Sequence, residues 1–414
     1  MTRLSHALSR QTFLPFERAA SFVVLAWAAL GPTTADAEIR ASIDTSVKAD
    51  IASNPYLLSG SKTSAASGTV SVSPNVKLTD GKQTVTLRGD YRHREFSRRY
   101  SASNDFGGSA SLAQQLSPRL GFNASFGYDT SVVGASDLLT FGTNPGTGVV
   151  FPPLPGDIAI NGLRQRRHAI SGGMSFDYTA SSRDQFTAQG GFSIVRFPVA
   201  SSASEYNNAS GSIGYSRVIN SKTSVGLDVS LSRADYRHTP LGDATTISPQ
   251  ATFKTKFGAR WSLSASLGVS HSRISGLVGR STQDSAAGSL SLCNAATVGK
   301  FCLFASRSVQ PTSFGSTVRP QTSVGLSYNV RLDAKSTIDA SANYSRSGQI
   351  GQGNIVTGGT VDYGRASLTY SRRLGQRIQG FVTADYADSY RDPTPRKANA
   401  AVSIGLSFAL GDNR

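Results

Sequence analysis

The chain has 414 residues, a formal net charge of +16 and only 16% charged side chains. Its length would suit two or three ordinary soluble domains. No run of 18 or more apolar residues follows the first 40 positions, which excludes a membrane-spanning helix from that part of the chain. A membrane-spanning β-barrel is not excluded, because its strands alternate and give a much weaker hydropathy signal.

The N-terminal segment has the parts of a secretory signal peptide. Three arginines precede an apolar run at residues 19–30, and Ala-Asp-Ala at residues 35–37 has the small-x-small form of a cleavage site. We predict that residues 1–37 are a signal peptide and that residues 38–414 form the exported, mature chain. An ordinary N-terminal helix is the alternative.

From there the chain alternates apolar and polar residues. In "ASIDTSVKADI", residues 41–51, the period of two is unbroken, which puts one face on an apolar medium and the other on a polar one. The same period returns at 70–78, 85–91 and 120–128. Further alternating segments centre near Met174, Phe192, Ile213, Val229, Ala251, Ala265, Leu326, Ala342, Leu368, Val382 and Ile404, with a weaker one near Ala110. We predict sixteen strands of about 9–11 residues, the length that crosses a bilayer.

Seven short turns between these strands share one pattern, in which a small or turn-forming residue is followed by any residue and then by Lys or Arg. The basic residues are Lys82, Arg119, Arg183, Lys222, Arg260, Lys335 and Arg377. The other connections are longer, from roughly eight to about forty residues, and an even strand number with short turns at one end is the outer-membrane arrangement. We therefore predict an all-β, transmembrane, antiparallel up-and-down β-barrel with short periplasmic turns and long extracellular loops. The basic turn residues would contact phospholipid headgroups.

Aromatic residues on the apolar parity support this prediction. They lie near both ends of the apolar faces, as amphipathic rings do at the two interfaces of a membrane. Those near the short turns are Tyr178, Tyr215, Tyr328, Tyr370, Phe253 and Trp261, and those near the opposite ends are Tyr91, Tyr128, Tyr344 and Tyr386.

The polar parity predicts the residues that line the lumen. The basic ones are Lys48, Lys77, Arg88, Arg92, Lys254 and Lys256, and the acidic ones are Asp44, Asp50, Asp90, Asp129, Asp177, Asp228, Asp339 and Asp385. These charges nearly balance, so the net positive charge is assigned to the short turns and to arginines on the long-loop side. The latter are Arg94, Arg98, Arg99, Arg164, Arg166, Arg167, Arg237, Arg273 and Arg280. Such arginines could bind lipopolysaccharide phosphates or attract an anionic solute to the mouth.

The mature chain resembles bacterial outer-membrane barrels, and its segments "SNPYLLSG", "VSVSPNVKL" and "LRGDYRHREFSRRYS" are similar to the β-barrel porin-2 family. Some proteins of this kind resemble components encoded near exopolysaccharide export systems, which would imply a passage for sugars. In general porins the loop at the position of residues 131–163 folds inward. The resemblance therefore implies a constriction that carries Asp137 and Asp157, and an exposed apolar loop is the alternative.

The only two cysteines, Cys293 and Cys302, lie nine positions apart. In an exported protein this spacing favours a local disulfide. The segments that carry them, "SLSLC" and "KFCLF", could form a disulfide-tied outer hairpin or two further strands, which would raise the count to eighteen. No histidine lies nearby, and we predict no metal site and no cofactor.

Three functions stay open at this stage. The first is passive diffusion of small hydrophilic solutes, the second is export of exopolysaccharide, and the third is a non-conducting structural or adhesion barrel. Phe381 is one lumen aromatic on the polar parity, but the sequence shows no continuous aromatic track, which counts against export of exopolysaccharide. No enzyme is predicted, because His93, His168, His238 and His271 lie near strand ends outside any recognisable nucleophile motif. The expected partners are outer-membrane lipid, lipopolysaccharide and the barrel-assembly machinery, with polysaccharide under the second function and no nucleic acid.

Overall fold

A computed structural model describes most of the mature chain. The described residues are 38–60, 63–133, 164–198, 204–237, 243–276, 279–313, 317–348, 351–352, 355–356, 360–390 and 396–411. The predicted signal peptide and its cleavage site lie outside this range. Within it, no helix is long and apolar enough to cross a membrane.

The described chain is built from strands. They are β1 (Glu38–Ala52), β2 (Ala65–Asp80), β3 (Gln83–Phe96), β4 (Ser103–Ser117), β5 (Leu120–Val132), β6 (Arg166–Thr179), β7 (Asp184–Arg196), β8 (Tyr206–Asn220), β9 (Thr223–Tyr236), β10 (Ala244–Phe257), β11 (Trp261–Gly276), β12 (Gly279–Ala295), β13 (Gly299–Thr312), β14 (Thr317–Arg331), β15 (Ser336–Ser347), β16 (Gly351–Gln352), β17 (Ile355–Val356), β18 (Val361–Arg373), β19 (Ile378–Tyr390) and β20 (Asn399–Gly411). Strands β16 and β17 pair only with each other, and the other eighteen described strands form one sheet.

This sheet closes on itself as an up-and-down barrel. Each strand pairs antiparallel with its neighbours in the sheet, and β1 pairs with β20 from Ser42–Gly411 to Ala52–Ala401. Closure leaves no open sheet edge at the ends of the chain, which is the condition for a sheet to cross a bilayer. The predicted all-β barrel is confirmed, with eighteen strands rather than sixteen.

The two additional strands are β12 and β13, which were one of the two alternatives for the cysteine region. Their alternation is weak in the sequence, because β12 reads "GRSTQDSAAGSLSLCNA" and its first half carries almost no large apolar residue. A segment with polar and small residues on both faces has no clear apolar period of two, so only its pairing with β11 reveals it.

The outer face of the barrel is apolar and uncovered. Leu267 is 75% exposed and Ile213 is 70% exposed. A soluble protein rarely exposes many large aliphatic side chains to this extent on one continuous face. The aromatic residues predicted at both ends of the apolar faces lie on this side, and the rings of Phe257 and Trp261 stack at 6.0 Å beside a short turn. An apolar band flanked by aromatic rings is the surface that contacts lipid.

One seam in the wall is short. The ladder between β12 and β13 runs only from Ala295–Lys300 to Gly288–Arg307. Beyond it, β12 stays paired with β11 as far as Gly279, and β13 stays paired with β14 as far as Thr312–Thr317. The far end of the β13–β14 pair therefore leaves the wall. We call this part, residues 308–313 and 317–321, the outer hairpin.

Candidate functional site: the lumen and its two mouths

Strand register places the predicted pore-lining residues on one face. All fourteen, from Asp44 to Asp385, share the inner face with Ser42, Ser73 and their ladder partners, opposite the apolar face that lipid contacts. Their role in lining an open passage stays a prediction. The register also puts Arg94, Asp105, Arg167 and Arg365 on this face. Arg94 and Arg167 were predicted on the long-loop side, and Asp105 and Arg365 were not predicted at all.

One half of the inner face carries paired charges. In β1, the Lys48 ammonium lies 2.8 Å from an Asp50 carboxylate oxygen, and in β3 the Arg88 guanidinium lies 3.0 Å from Asp90. The set continues with Arg167–Asp129 at 3.3 Å and Arg365–Asp385 at 2.9 Å. Because these four cations are each matched by a carboxylate, their charges are compensated locally.

The opposite half is lined mainly by hydroxyl groups, although Asp228, Lys254 and Lys256 share its inner face. Along β9 to β12 the inner positions are mostly serine, threonine and glycine. Neighbouring hydroxyls hydrogen-bond across the strands, as in Thr246–Ser272 at 2.9 Å and Ser248–Ser270 at 2.6 Å. Such small side chains cannot fill the interior of an eighteen-stranded barrel, whereas they are well suited to contact with water.

At the long-loop mouth, the connection between β1 and β2 packs against the inner wall. Tyr56 is 1% exposed and its ring lies 5.0 Å from that of Tyr100, while Leu57 is fully buried against Val361 and Tyr363 of β18. The Arg164 guanidinium lies over both tyrosine rings, 5.5 Å from Tyr56 and 5.2 Å from Tyr100. Burial raises the pKa of each tyrosine hydroxyl above its ordinary value.

An apolar cluster around the outer hairpin narrows this mouth further. Its buried members come from the part of the barrel between the end of β5 and β14: Val133, Val195, Phe197, Tyr206, Ala234, Tyr236, Ala244, Ile274 and Val318. The Tyr236 hydroxyl accepts a hydrogen bond from the Thr312 N–H at 3.1 Å and donates to the Thr317 carbonyl at 2.7 Å. Since β10, β11 and β12 separate β9 from β13 in the wall, the outer hairpin extends across the lumen.

The short-turn mouth is built from one repeated backbone contact. In each predicted basic turn, the carbonyl of the Lys or Arg accepts a hydrogen bond from the strand that follows the hairpin, at 2.7–3.0 Å. The donors for Lys82, Arg119, Arg183, Lys222, Arg260, Lys335 and Arg377 are the N–H groups of Gln115, Thr179, Val218, Lys256, Ala295, Arg373 and Ala409. An eighth turn between β12 and β13 repeats the contact with Val298 and Arg331.

This contact extends each ladder by one pair, and the added pair falls on the inner-face register. The seven basic residues therefore lie on the inner side of the rim, and their contact with lipid headgroups stays a prediction. Further cations occupy inner positions just above them, namely Lys254, Lys256, Lys300, Arg331 and Arg373. The near balance of charge predicted for the lumen rested on an incomplete set, because it left out this basic rim.

Two of these contacts place a cation opposite a cation. Lys222 is opposite Lys256, and Lys335 is opposite Arg373. Like charges directly across a ladder lower the stability of a sheet. Because the arrangement costs stability, it points to attraction of anions at this mouth, where low-dielectric walls strengthen the field.

The structure joins Cys293 and Cys302 by a disulfide, and the ladder pairs the same two residues. Both lie on the inner face beside the short turn between β12 and β13. The alternative of a disulfide-tied outer hairpin is therefore wrong, because the link is at the opposite end of the barrel. Weak alternation hid β12 and β13 and so made the region look like one long loop.

Other predicted features lie elsewhere. Asp137, Asp157 and His238 are outside the described residues, so the predicted constriction loop and its carboxylates are not described. His93, His168 and His271 are on the outer face, where each has a polar neighbour: Asn104, Tyr128 and Asp284. Within the described ranges no group of three His, Cys, Asp or Glu side chains is placed to hold a metal ion.

Two phenylalanines of the inner face lie against glycines of the neighbouring strand. Phe381 was predicted to face the lumen, and its register agrees. Phe304 also lies on the inner face. It was not predicted, because its strand was not recognised in the sequence. Each ring occupies the space above a glycine, Gly405 and Gly325, where a Cβ atom would overlap the ring. The two rings therefore fill gaps in the wall, and three strands lie between them.

A closed antiparallel sheet with an apolar outer face, a polar inner face and short turns at one end defines the class. The protein is a transmembrane β-barrel of the bacterial outer-membrane type.

No protein-family model and no curated protein matches the chain, so its resemblance to the β-barrel porin-2 family stays a prediction. Among solved structures, it is similar to Pseudomonas aeruginosa OpdL, with 11% identity, a TM-score of 0.46 and coverage of 92% of this chain and 100% of that chain. For P. aeruginosa OprD the values are 10%, 0.45, 92% and 98%. For the FrpB iron transporter from Neisseria meningitidis they are 8%, 0.42, 89% and 81%. Identities and scores this low support no conclusion about function.

Proposed function

We propose that the protein is an outer-membrane channel through which small hydrophilic solutes diffuse passively. The wall of β9 to β12, which is lined mainly by hydroxyl groups, carries this proposal. A barrel of eighteen strands is too wide for serine, threonine and glycine to fill, and hydroxyl groups that line such a space are solvated by water. A water-filled space bounded by a closed wall is the physical requirement for passive diffusion.

The two mouths determine how such a channel would behave. The apolar clusters and the outer hairpin narrow the long-loop mouth, so the conductance should be small for a barrel of this width. The basic rim surrounds the short-turn mouth, so anions should pass more readily than cations at low ionic strength.

The test is single-channel recording from the purified, refolded chain 38–414 in a planar bilayer with a gradient of KCl. We expect discrete openings and a reversal potential that favours chloride. A variant in which residues 308–321 are replaced by a short Gly-Ser linker should give larger openings. Folding of both proteins is checked by their heat-modifiable migration in gels, which reports a closed barrel.

No conductance from a folded barrel, with or without the outer hairpin, would contradict the proposal and favour the structural or adhesion alternative. The export of exopolysaccharide has less support, because the inner phenylalanines Phe304 and Phe381 do not form a continuous track along which sugars could stack. Its distinguishing observation would be block of the current by polysaccharide at concentrations that leave a neutral polymer of equal size without effect.

A further inference from the structure

A small cavity at the short-turn mouth combines three lysines with hydroxyl groups. It has a volume of about 340 Å³ and lies where β8 to β12 meet the rim. The lysines are Lys222, Lys254 and Lys256, and the serines that line it are Ser221, Ser224, Ser262, Ser264 and Ser291. No carboxylate contributes to the lining.

The positions of the lysines follow from the strand register. Lys254 is paired with Ser224 of β9 and Ser264 of β11, so its side chain shares the inner face with both hydroxyls. Lys256 is paired with Ser262, and the Lys256 N–H donates to the Lys222 carbonyl at 2.9 Å. The three lysines therefore lie at two successive inner-facing pairs of the ladder.

This arrangement differs from the charged half of the lumen. There four of the cations are each matched by a carboxylate at 2.8–3.3 Å, as in the Lys48–Asp50 pair. In the lysine cavity, a cation is opposite a cation, and the remaining polar side chains are hydroxyls and the Asn220 amide, which can donate hydrogen bonds. Ammonium groups and hydroxyl donors with no acidic neighbour are the groups that bind an oxyanion.

We propose that this cavity is a binding site for a multiply charged oxyanion, either free or as the phosphate or sulfate group of a solute. A divalent anion would relieve the repulsion between Lys222 and Lys256, whereas chloride offers a single charge and no fixed hydrogen-bond geometry. The site would hold the anion at the inner rim of the lumen. Binding does not depend on whether the lumen conducts, although a role in selecting solutes rests on the proposed channel.

The test is binding of inorganic phosphate to the detergent-solubilised, refolded barrel, followed by ³¹P NMR line broadening at low ionic strength. We expect saturable binding that Lys222→Gln together with Lys254→Gln weakens by about tenfold or more, since two charge-assisted contacts are lost. Lys82→Gln is the matched control, because Lys82 has the same place in its turn but is opposite Gln115 rather than a lysine. Chloride at equal ionic strength should compete poorly.

Two outcomes would overturn the assignment. One is absence of saturable phosphate binding in the folded, unmodified protein. The other is an equal loss of affinity in Lys82→Gln, which would mean that the diffuse field of the rim attracts phosphate and that the cavity forms no site. Because the measurement uses binding in detergent, a barrel that binds phosphate but does not conduct would contradict the channel alone.

Discussion

The Tyr236 hydroxyl donates a hydrogen bond to the Thr317 carbonyl at 2.7 Å, although four strands separate β9 from β14 in the wall. The same hydroxyl accepts from the Thr312 N–H at 3.1 Å. One side chain thus bonds both strands of the outer hairpin where they meet the far wall. Tyr236 fastens the element that narrows the long-loop mouth.

Tyr236→Phe should loosen the outer hairpin. The substitution keeps the ring in the apolar cluster but leaves the buried Thr312 N–H without this acceptor, at a cost of about 1–3 kcal/mol. We expect larger or more frequent openings in planar bilayers, with the barrel still closed by heat-modifiable migration. Tyr370→Phe is the control, because the Tyr370 hydroxyl bonds Ser336 near the short turns, far from the hairpin. Unchanged openings in Tyr236→Phe would mean that the outer hairpin is held by its apolar contacts alone.

Arg373→Glu should make the rim less selective and the barrel more stable. The new carboxylate would be opposite Lys335 and replace a like-charge pair with an opposite-charge pair, a gain of about 0.2–1 kcal/mol. In water a unit charge changes the energy of an ion about 10 Å away by about 0.4 kcal/mol, or about twofold in concentration. The preference for chloride in a KCl gradient should therefore fall severalfold.

The control for this charge change is Arg217→Glu, which alters an outer-face arginine near the same end of the barrel. It should leave the reversal potential unchanged. Equal shifts from both variants would show that net charge, rather than position on the inner rim, sets the selectivity.

The turn between β14 and β15 should depend on pH through Asp333. Its carboxylate accepts hydrogen bonds from the Lys335 N–H at 2.6 Å and the Ser336 N–H at 2.7 Å. The bond from the Lys335 N–H is the main reason that the pKa of Asp333 lies below its ordinary value. Since the folded pKa is depressed, the stabilisation is present above the unfolded value of about 3.9 and is lost as pH falls through the folded pKa.

Asp333→Asn supplies the comparison, because the amide can still accept both hydrogen bonds but carries no charge. Above pH of about 4 the wild type should resist urea unfolding better than Asp333→Asn, and the difference should close as the pH falls further. A difference that persists unchanged at the acidic end would assign the effect to amide geometry.

Loss of the disulfide should weaken the β12–β13 hairpin without changing the current. A cross-link that closes a loop of nine residues stabilises by roughly 2–3 kcal/mol in the chain-entropy model. We expect the Cys293→Ser, Cys302→Ser double variant to unfold at lower urea concentration and to keep the wild-type conductance. A change in conductance at equal folding would mean that the cross-link also shapes the lumen.

Much of the fold could be predicted because alternation is a direct consequence of placing a strand between lipid and water. In β1 every second residue from Ala41 to Ile51 is outward and the rest are inward, so sequence and structure carry the same pattern. In β12 the first half has no large apolar residue on either face, so no apolar alternation marks it in the sequence. Only partner strands specify such a segment, and partners are a property of the whole barrel.

The candidate site was harder to predict. The parity that identified Arg88 and Arg92 also applies to Arg94, which was assigned to the loop side because it lies near a strand end. The basic turns were recognised as a repeat, but their position on the inner rim depends on one added ladder contact in each hairpin. The outer hairpin could not be foreseen at all, because its contacts with Tyr236 join residues that are distant in sequence and in the wall.

The short ladder between β12 and β13 also has a mechanical consequence. A closed sheet resists radial deformation through its chain of interstrand bonds, and the circumference yields first where that chain has the fewest links. Here β12 and β13 lack those bonds between the Gly288–Arg307 pair and the long-loop end of the wall. Lateral pressure from the bilayer should therefore deform the cross-section of the barrel mainly at the seam between β12 and β13. The wall should be more compliant there than elsewhere around its circumference.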